Sequence, residues 1–434
     1  MFLNIPMHTR FKISLIVLTI VIPFSVIAAQ QDPIPLPPPP SDAAAVTPGL
    51  LPLPSSPMGT LSNNVPATTI ETQPQTRVCT PNSDPVQPFV FYKPPVNKPV
   101  GQLPGLFDLF VFTKGDEDAM RSVRGSGVRP VLQYIKFDAV HDPCFQATRA
   151  AGTPCSCSQS PKRNSVAWNN SDICWLRNEH PDWFMRDING DLLYWNDYVM
   201  MDPGEQGWRD FWVERLRTSQ SAGWDGIFMD NMSTRFGVHS TDFVELQDYP
   251  TIRSYQNAVV GFLETTRDAY FEPNNKLMYA NLSVRWGDED PFYRYLTHLD
   301  GVQDEFWAVT RTDWYTLKSW ERRLLRAKGA VDRNKDMLLV SLGNETSLTR
   351  QQFALASYLL VASPTTYFRY SNQEYYDYVW WYDNYLAKLG EPTGNYTRSG
   401  NTWKRNFANG KVTVSPETRS STIVITDPTG GCLP

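Results

Sequence analysis

Three features of the sequence predict an α/β chain, a (β/α)8 TIM barrel with a small C-terminal antiparallel β appendage. Eight short apolar runs recur after residue 105, nearly continuous rather than alternating, as expected of parallel strands covered on both faces. Amphipathic stretches of helical period separate them. The eight repeats fill roughly 270 residues, close to the ~250 usual for such barrels.

Residues 1–29 begin with Arg10 and Lys12, continue as an apolar run from Ile13 to Ala29 and end in small residues. They read as a signal peptide or, if uncleaved, an N-terminal anchor. Residues 30–100 carry about half of the 35 prolines, in stretches such as "PIPLPPPPSD". Such a segment is an extended, polyproline-like spacer or a pro-segment, because proline supports neither a helix nor a central strand. Together they predict export, to the outside, the periplasm or the cell surface, with the spacer suited to tethering at a membrane or wall.

Residues 101–389 are expected to form the barrel. Its strands are expected at Leu106–Phe112, Val128–Ile135, Tyr198–Met201, Gly226–Asp230, Leu277–Asn281, Gly301–Phe306, Met337–Leu342 and Thr366–Tyr370. Between them, "WRDFWVERLRTSQSAG", "TIRSYQNAVVGFLETTRDAY" and "TDWYTLKSWERRLLRAKG" have helical period, the last with Gly329 as its expected C-cap. An open doubly wound sheet is the alternative, but no Gly-rich phosphate loop follows the first strand. Residues 390–434 change texture to Thr/Val/Ile alternation around Asn409-Gly410, a hairpin signal.

The net charge of −5 carries no basic stripe, so nothing points to nucleic acid. Cysteines stand at 79, 144, 155, 157, 174 and 432. An even count in an exported chain favours disulfides, four tying down one long loop and Cys79 and Cys432 stapling the ends. A zinc site at "CSC" is the competing reading; its spacing lacks a CxxC pair.

In barrels, chemistry sits at the C-terminal strand ends. Those ends are polar here: Tyr134 and Lys136, Asp202, Asp230 and Asn231, Asn281, Glu305 with Trp307 beyond it, Asn344 and Glu345, and Arg369. Asp230 and Glu305 stand out as a catalytic pair two βα units apart, and strand parity selects Glu305 over Asp304. At that distance the carboxyls cover both the close, retaining geometry and the wider, inverting one. Each polar residue has a plain alternative as a cap, rim or loop residue, Asp202 above all as a cap of the following helix. Asn231, Asn281 and Asn344 each begin an Asn-x-Ser/Thr sequence, and glycans there would block the mouth, so these amides read as substrate donors. Trp195, Tyr198, Trp286, Trp307, Tyr367, Trp380 and Trp381 near the same face suit stacking on sugar rings. No HExxH, GxSxG or His cluster is present among five histidines, and neither metal nor cofactor is called for.

The segments "PVLQYIKF", "HPDWFMRDINGDLLYWNDYVMMDPGEQGWRDFW", "GWDGIFMDNM", "LMYANLS" and "DGVQDEFW" resemble hypothetical glycosyl hydrolase family 15. The resemblance spans roughly residues 106–389 and continues into "RNFANGKVTVSP". It implies a (β/α)8 glycosidase fold with acidic catalytic residues on strands 4 and 6, and no particular substrate. The Cys144–Cys174 stretch departs from it and leaves the cleft near the second strand open in shape. The expectation is an exported glycoside hydrolase acting on a poly- or oligosaccharide, with Asp230 as nucleophile or electrostatic stabiliser and Glu305 as general acid/base, or the roles reversed, and with Asp230 as a base activating water if the carboxyls lie far apart. A lyase or transglycosylase reads the same in sequence. The competing class is a non-catalytic carbohydrate-binding or cell-surface protein on the same barrel.

Overall fold

A computed structural model of the protein describes residues 85–148, 155–236, 245–284, 289–372 and 376–426. Three strands begin the barrel: β1 (Phe89–Val90), β2 (Leu109–Thr113) and β3 (Val131–Lys136). An insertion follows, with β4 (Ala139–His141), β5 (Tyr194–Trp195) and β6 (Tyr198–Met200). The barrel resumes with β7 (Gly226–Ser233), β8 (Leu277–Ser283), β9 (Gly301–Asp304), β10 (Asp336–Leu342) and β11 (Thr366–Ser371). Its eight strands pair in the order β1-β2-β3-β7-β8-β9-β10-β11, every neighbouring pair parallel. A parallel bridge between Pro88 and Phe368 closes the ring, with the Phe368 N–H donating to the Gln87 carbonyl at 2.8 Å. Helices α1 (Glu117–Gly125), α2 (Phe145–Thr148), α3 (Asn170–Glu179), α4 (Gln206–Gln220), α5 (Ile252–Thr266), α6 (Glu289–His298), α7 (Leu317–Val331) and α8 (Leu348–Leu359) complete the layer outside the sheet and the insertion.

Two expectations about strands are corrected. The run Tyr198–Met201 is not a barrel strand: β6 lies between β4 and β5 in a small antiparallel sheet. Its apolar character comes from burial within the insertion, where Tyr198, Val199 and Met200 join the outer core. The missing eighth strand is β1, inside the stretch read as proline spacer. Only two residues long and preceded by Pro88, it has no unbroken run to announce itself, and proline is tolerated at the entry to a strand. The barrel therefore takes residues from before position 100. A third correction concerns Gly329, which lies inside α7 rather than capping it. A Cβ there would collide with the Tyr293 hydroxyl, so the glycine allows a close approach to α6.

Alternation along the strands divides the core. Leu132 and Tyr134 of β3, Phe228 of β7, Tyr279 of β8 and Leu338 and Val340 of β10 fill the barrel interior with Phe89 and Phe91. Ile227, Met229, Met278, Ala280, Val302 and Leu339 face the helices. The same parity continues to the rim, so Lys136, Asp230 and Asn281 point inward. Gly226 lets β7 lie tight against β8, where a Cβ would run into the Leu277 main chain.

β12 (Thr397–Ser399), β13 (Thr402–Phe407), β14 (Gly410–Ser415) and β15 (Ser420–Ile425) form the antiparallel C-terminal sheet, with the expected turn at Asn409-Gly410. Trp403 anchors it against Trp320 of α7 at a centroid distance of 4.9 Å, and Arg405 donates to the Ala362 carbonyl at 2.7 Å. In the insertion, disulfides join Cys144 to Cys157 and Cys155 to Cys174, which removes the zinc reading of "CSC". No helix among the described residues is long and apolar enough to cross a membrane. The N-terminal run expected as a signal peptide or anchor, most of the stretch expected as a spacer, Cys79 and Cys432 lie outside the described residues.

Candidate active site

The end of β7 is built to aim a side chain. Its register with β8 slips between Met229 and Met232, and Asn231 takes a left-handed φ of 63°, a conformation that asparagine tolerates better than most residues. The resulting bulge leaves Asp230 on the inner face. Glu305 follows β9 directly and continues the inward parity of Gln303. Asp304 turns the other way, pairs with Arg323 of α7 and accepts the Phe306 N–H at 3.1 Å.

Asn281 joins the two carboxylates. Its Nδ2 donates to Asp230 Oδ1 at 3.1 Å and to Glu305 Oε2 at 2.9 Å, and the residue is only 4% exposed. The two oxygens therefore stand no farther apart than those two bonds laid end to end, which admits the ~5–5.5 Å of a retaining pair and falls short of the ~6.5–9.5 Å of an inverting one.

Each carboxylate has its own second set of partners. Asp230 Oδ2 accepts from the Tyr134 hydroxyl and lies 3.7 Å from Lys136 Nζ. Burial works against the Lys136 charge, but Asp138 and Asp230 outweigh it and hold the ammonium above its ordinary range. Glu305 Oε1 accepts from the Tyr376 hydroxyl at 2.8 Å. Burial and then the charge of Asp230 push the Glu305 carboxyl above the ordinary glutamate range, and the bonds from Asn281 and Tyr376 offset part of that rise. One carboxyl is thus biased toward its protonated form, while the other faces a cation. Such an asymmetry of surroundings is the physical means by which two like groups can be kept in different protonation states.

Of the remaining expected residues, Arg369 acts at one remove. Buried, with its pKa lowered to about 10 by desolvation, it donates to the main-chain carbonyls of Tyr376 at 2.6 Å and Tyr378 at 3.1 Å. It therefore holds the loop that delivers Tyr376 to Glu305. Asn231 hydrogen-bonds Asp138 rather than the space between the carboxylates. Asp202 is spent locally: its Oδ1 accepts from the Gly204 N–H at 2.7 Å and from the Tyr249 hydroxyl, shaping the turn before α4.

Two expectations, those for Trp307 and Tyr367, fail on geometry. Trp307 is 1% exposed in the core between barrel and helices, so its ring cannot meet a sugar. Glu345 is exposed on the rim, and its carbonyl receives the Tyr382 hydroxyl at 2.9 Å. Tyr367 is buried in the barrel interior at the start of β11, paired in register with Leu338 rather than at the rim. Trp286 lies outside the described residues.

Three site residues escaped the sequence reading. Asp138 stands beyond β3; burial pushes its carboxyl up to about 6, against the pull of Lys136. Its place two residues after Lys136 was the available signal. Tyr376 comes from the aromatic-rich loop "EYYDYVWWY", which gives no sign of which ring turns inward. Tyr92, just after β1, stacks on Tyr134 at 4.8 Å, and the proline-rich setting concealed it. A cleft of about 890 Å³ beyond β10 is lined by Trp314, Asn344, Arg350 and Asn372. A smaller one of about 180 Å³ reaches Asn281 and Glu305.

The model of hypothetical glycosyl hydrolase family 15 matches residues 156–411, and the chain belongs to that family. It is a glycoside hydrolase by that membership. No curated protein matches it in sequence. Among solved structures, the glycoside hydrolase domain of PelA from Pseudomonas aeruginosa is 13% identical, with a TM-score of 0.42 over 68% of this chain and 96% of that one. Ega3 of Aspergillus fumigatus, solved with galactosamine, is 10% identical at a TM-score of 0.40, covering 69% of this chain and 95% of that one. The alpha-galactosidase TtGalA of Thermus thermophilus is 12% identical at 0.43, covering 77% and 67%.

Proposed function

We propose, taking membership of hypothetical glycosyl hydrolase family 15 as the premise, that this chain is an exported retaining glycosidase that uses Asp230 and Glu305. The observation that carries the reading is the single Asn281 amide shared by both carboxylates, because it implies a separation suited to double displacement. Glu305, biased toward its protonated form, gives its proton to the departing glycosidic oxygen. Asp230 attacks the anomeric carbon from the other side, and a glycosyl ester forms as the C–O bond to the leaving group breaks. Glu305, now a carboxylate, takes a proton from water; that water attacks the anomeric carbon and releases Asp230.

The surroundings suit each step. Lys136 and Tyr134 orient Asp230 for attack and stabilise its carboxylate when the ester is cleaved. Tyr376 and Asn281 fix the Glu305 carboxyl for both proton transfers, and Arg369 fixes Tyr376. Export is supported by the two disulfides, which persist in oxidising compartments, and by the apolar N-terminal run after two basic residues. The proline-rich stretch is proposed as a spacer between that N-terminus and the barrel, and the C-terminal sheet as a separate small domain.

The test is release of reducing ends from a panel of plant and microbial polysaccharides by wild type, Asp230→Asn and Glu305→Gln, with folding checked by circular dichroism. A loss of about 10³-fold or more in both variants is expected, since each group supplies several kcal/mol to the transition state. Polysaccharide binding without turnover in all three proteins would make this a binding module instead.

A further inference from the structure

The disulfide-clamped insertion carries two aromatic side chains that the chemistry above does not use. β5 and β6 form a hairpin with the two-residue turn Asn196-Asp197, in which Asn196 has a left-handed φ of 54°. At its edge Tyr194 and Trp195 are 44% and 42% exposed, whereas Trp208, Trp212, Trp224, Trp307, Trp320 and Trp403 are fully buried. The hairpin is held from behind: Tyr194 packs on Phe145 at 4.7 Å, beside the Cys144–Cys157 disulfide. Asn164 donates to the Tyr198 hydroxyl at 2.8 Å and so fixes that ring.

A chain of contacts leads from this hairpin to the catalytic pair. Trp195 lies nearly parallel to Tyr198, at 25° and a centroid distance of 6.3 Å. The Tyr198 ring faces Lys136 Nζ at 5.1 Å, and that nitrogen is 3.7 Å from Asp230. Laid end to end, these steps span no more than a few sugar rings. Tyr92, stacked on the Tyr134 that donates to Asp230, adds an aromatic face still nearer the nucleophile.

We propose that the insertion is a sugar-binding arm, in which Trp195 on its Tyr198 support stacks against a pyranose unit of a polysaccharide beyond the scissile bond. The inference rests on the glycosidase reading and deepens it: the substrate is a polymer rather than a small glycoside. A half-exposed indole leaves apolar ring surface in water, and a flat sugar face that covers it removes that surface from water and gains contact. The two interlaced disulfides explain why a loop can present that ring in a fixed place, since ordering it on binding would otherwise cost entropy.

The test uses the full chain in the Glu305→Gln background, so that bound polymer is not cleaved. Mobility would be followed in native gels containing soluble starch, mixed-linkage β-glucan, galactan, a galactosaminan or polygalacturonate. At least one polymer is expected to retard the protein. Adding Trp195→Ala should weaken that retardation about three- to tenfold, the range of one stacked ring, while Trp195→Phe stays within about twofold. Trp175→Ala, another exposed tryptophan with no described contact to this network, should match the parent. Equal binding by Trp195→Ala and the parent would overturn the proposal, as would an absence of retardation by every polymer. Hydrolysis by the otherwise unmodified chain is read separately. Binding that depends on Trp195 in a protein that cleaves nothing would uphold the arm and refute the catalytic pair.

Discussion

Two strand ends of this barrel carry the same tripeptide pattern and have opposite fates. Asn281-Leu-Ser ends β8, and Asn344-Glu-Thr follows β10. Asn281 is 4% exposed and lies between two carboxylates, whereas Asn344 and Glu345 are exposed on the rim. Both follow apolar strands and both would look like substrate donors in a sequence. The difference is phase. Asn281 shares the inward face with Leu277 and Tyr279 of the same strand, so it enters the barrel mouth. Asn344 stands past Leu342 and Gly343, where the chain has left the sheet and strand alternation no longer aims it. Polarity at a strand end marks a candidate; continuity of the strand up to that residue decides where it points.

The comparison sharpens most under substitution of the bridging amide. Asn281→Ala should lower kcat by about 10²-fold with a smaller change in KM, because both carboxylates lose a shared donor that orients them in the transition state. Steady-state kinetics on the substrate found in the panel would check this, and a change confined to KM would reduce Asn281 to a binding residue.

Tyr376 should have a smaller effect of a distinct kind. Its hydroxyl favours the charged form of Glu305, so Tyr376→Phe should raise the Glu305 pKa further. The alkaline limb of the kcat/KM profile, which reports loss of the acid's proton in the free enzyme, would then move to higher pH, with a loss of about tenfold at the optimum. A shift to lower pH would show that the hydrogen bond does not act on the general acid.

At the other end of the scale, Asn344→Ala and Glu345→Gln should leave kcat within about twofold and stability within ~0.5 kcal/mol, as for exposed substitutions without buried partners. A large loss in either would mean that the β10 rim takes part in the chemistry and that the contrast between the two strand ends is false.

Much of this was legible before the fold was known. Seven of the barrel strands announced themselves as apolar runs, and alternation within Gly301–Phe306 was enough to choose Glu305 over Asp304. What stayed hidden has physical reasons. β1 is a two-residue strand among prolines, held in place by closure of the ring rather than by its own pattern. β6 imitates a barrel strand because its residues are buried where the insertion packs on the core between barrel and helices. Trp307 sits at a suitable distance from Glu305 in sequence, yet the chain turns it back into the wall after β9. Tyr376 and Asp138 depend on loop conformation, which carries no periodic signal. The contribution of Arg369 is indirect for the same reason: it binds main-chain carbonyls of a loop, and no side-chain pattern reports that.

The central claim is that Asp230 and Glu305 stand at the spacing of a double displacement. Its most direct measurement is the anomeric configuration of the first sugar released, followed by proton NMR before mutarotation. Retention of the substrate's configuration is the expected result of a double displacement. Inversion would contradict the account, since it would require a wider separation of the carboxylates, with a water held between them.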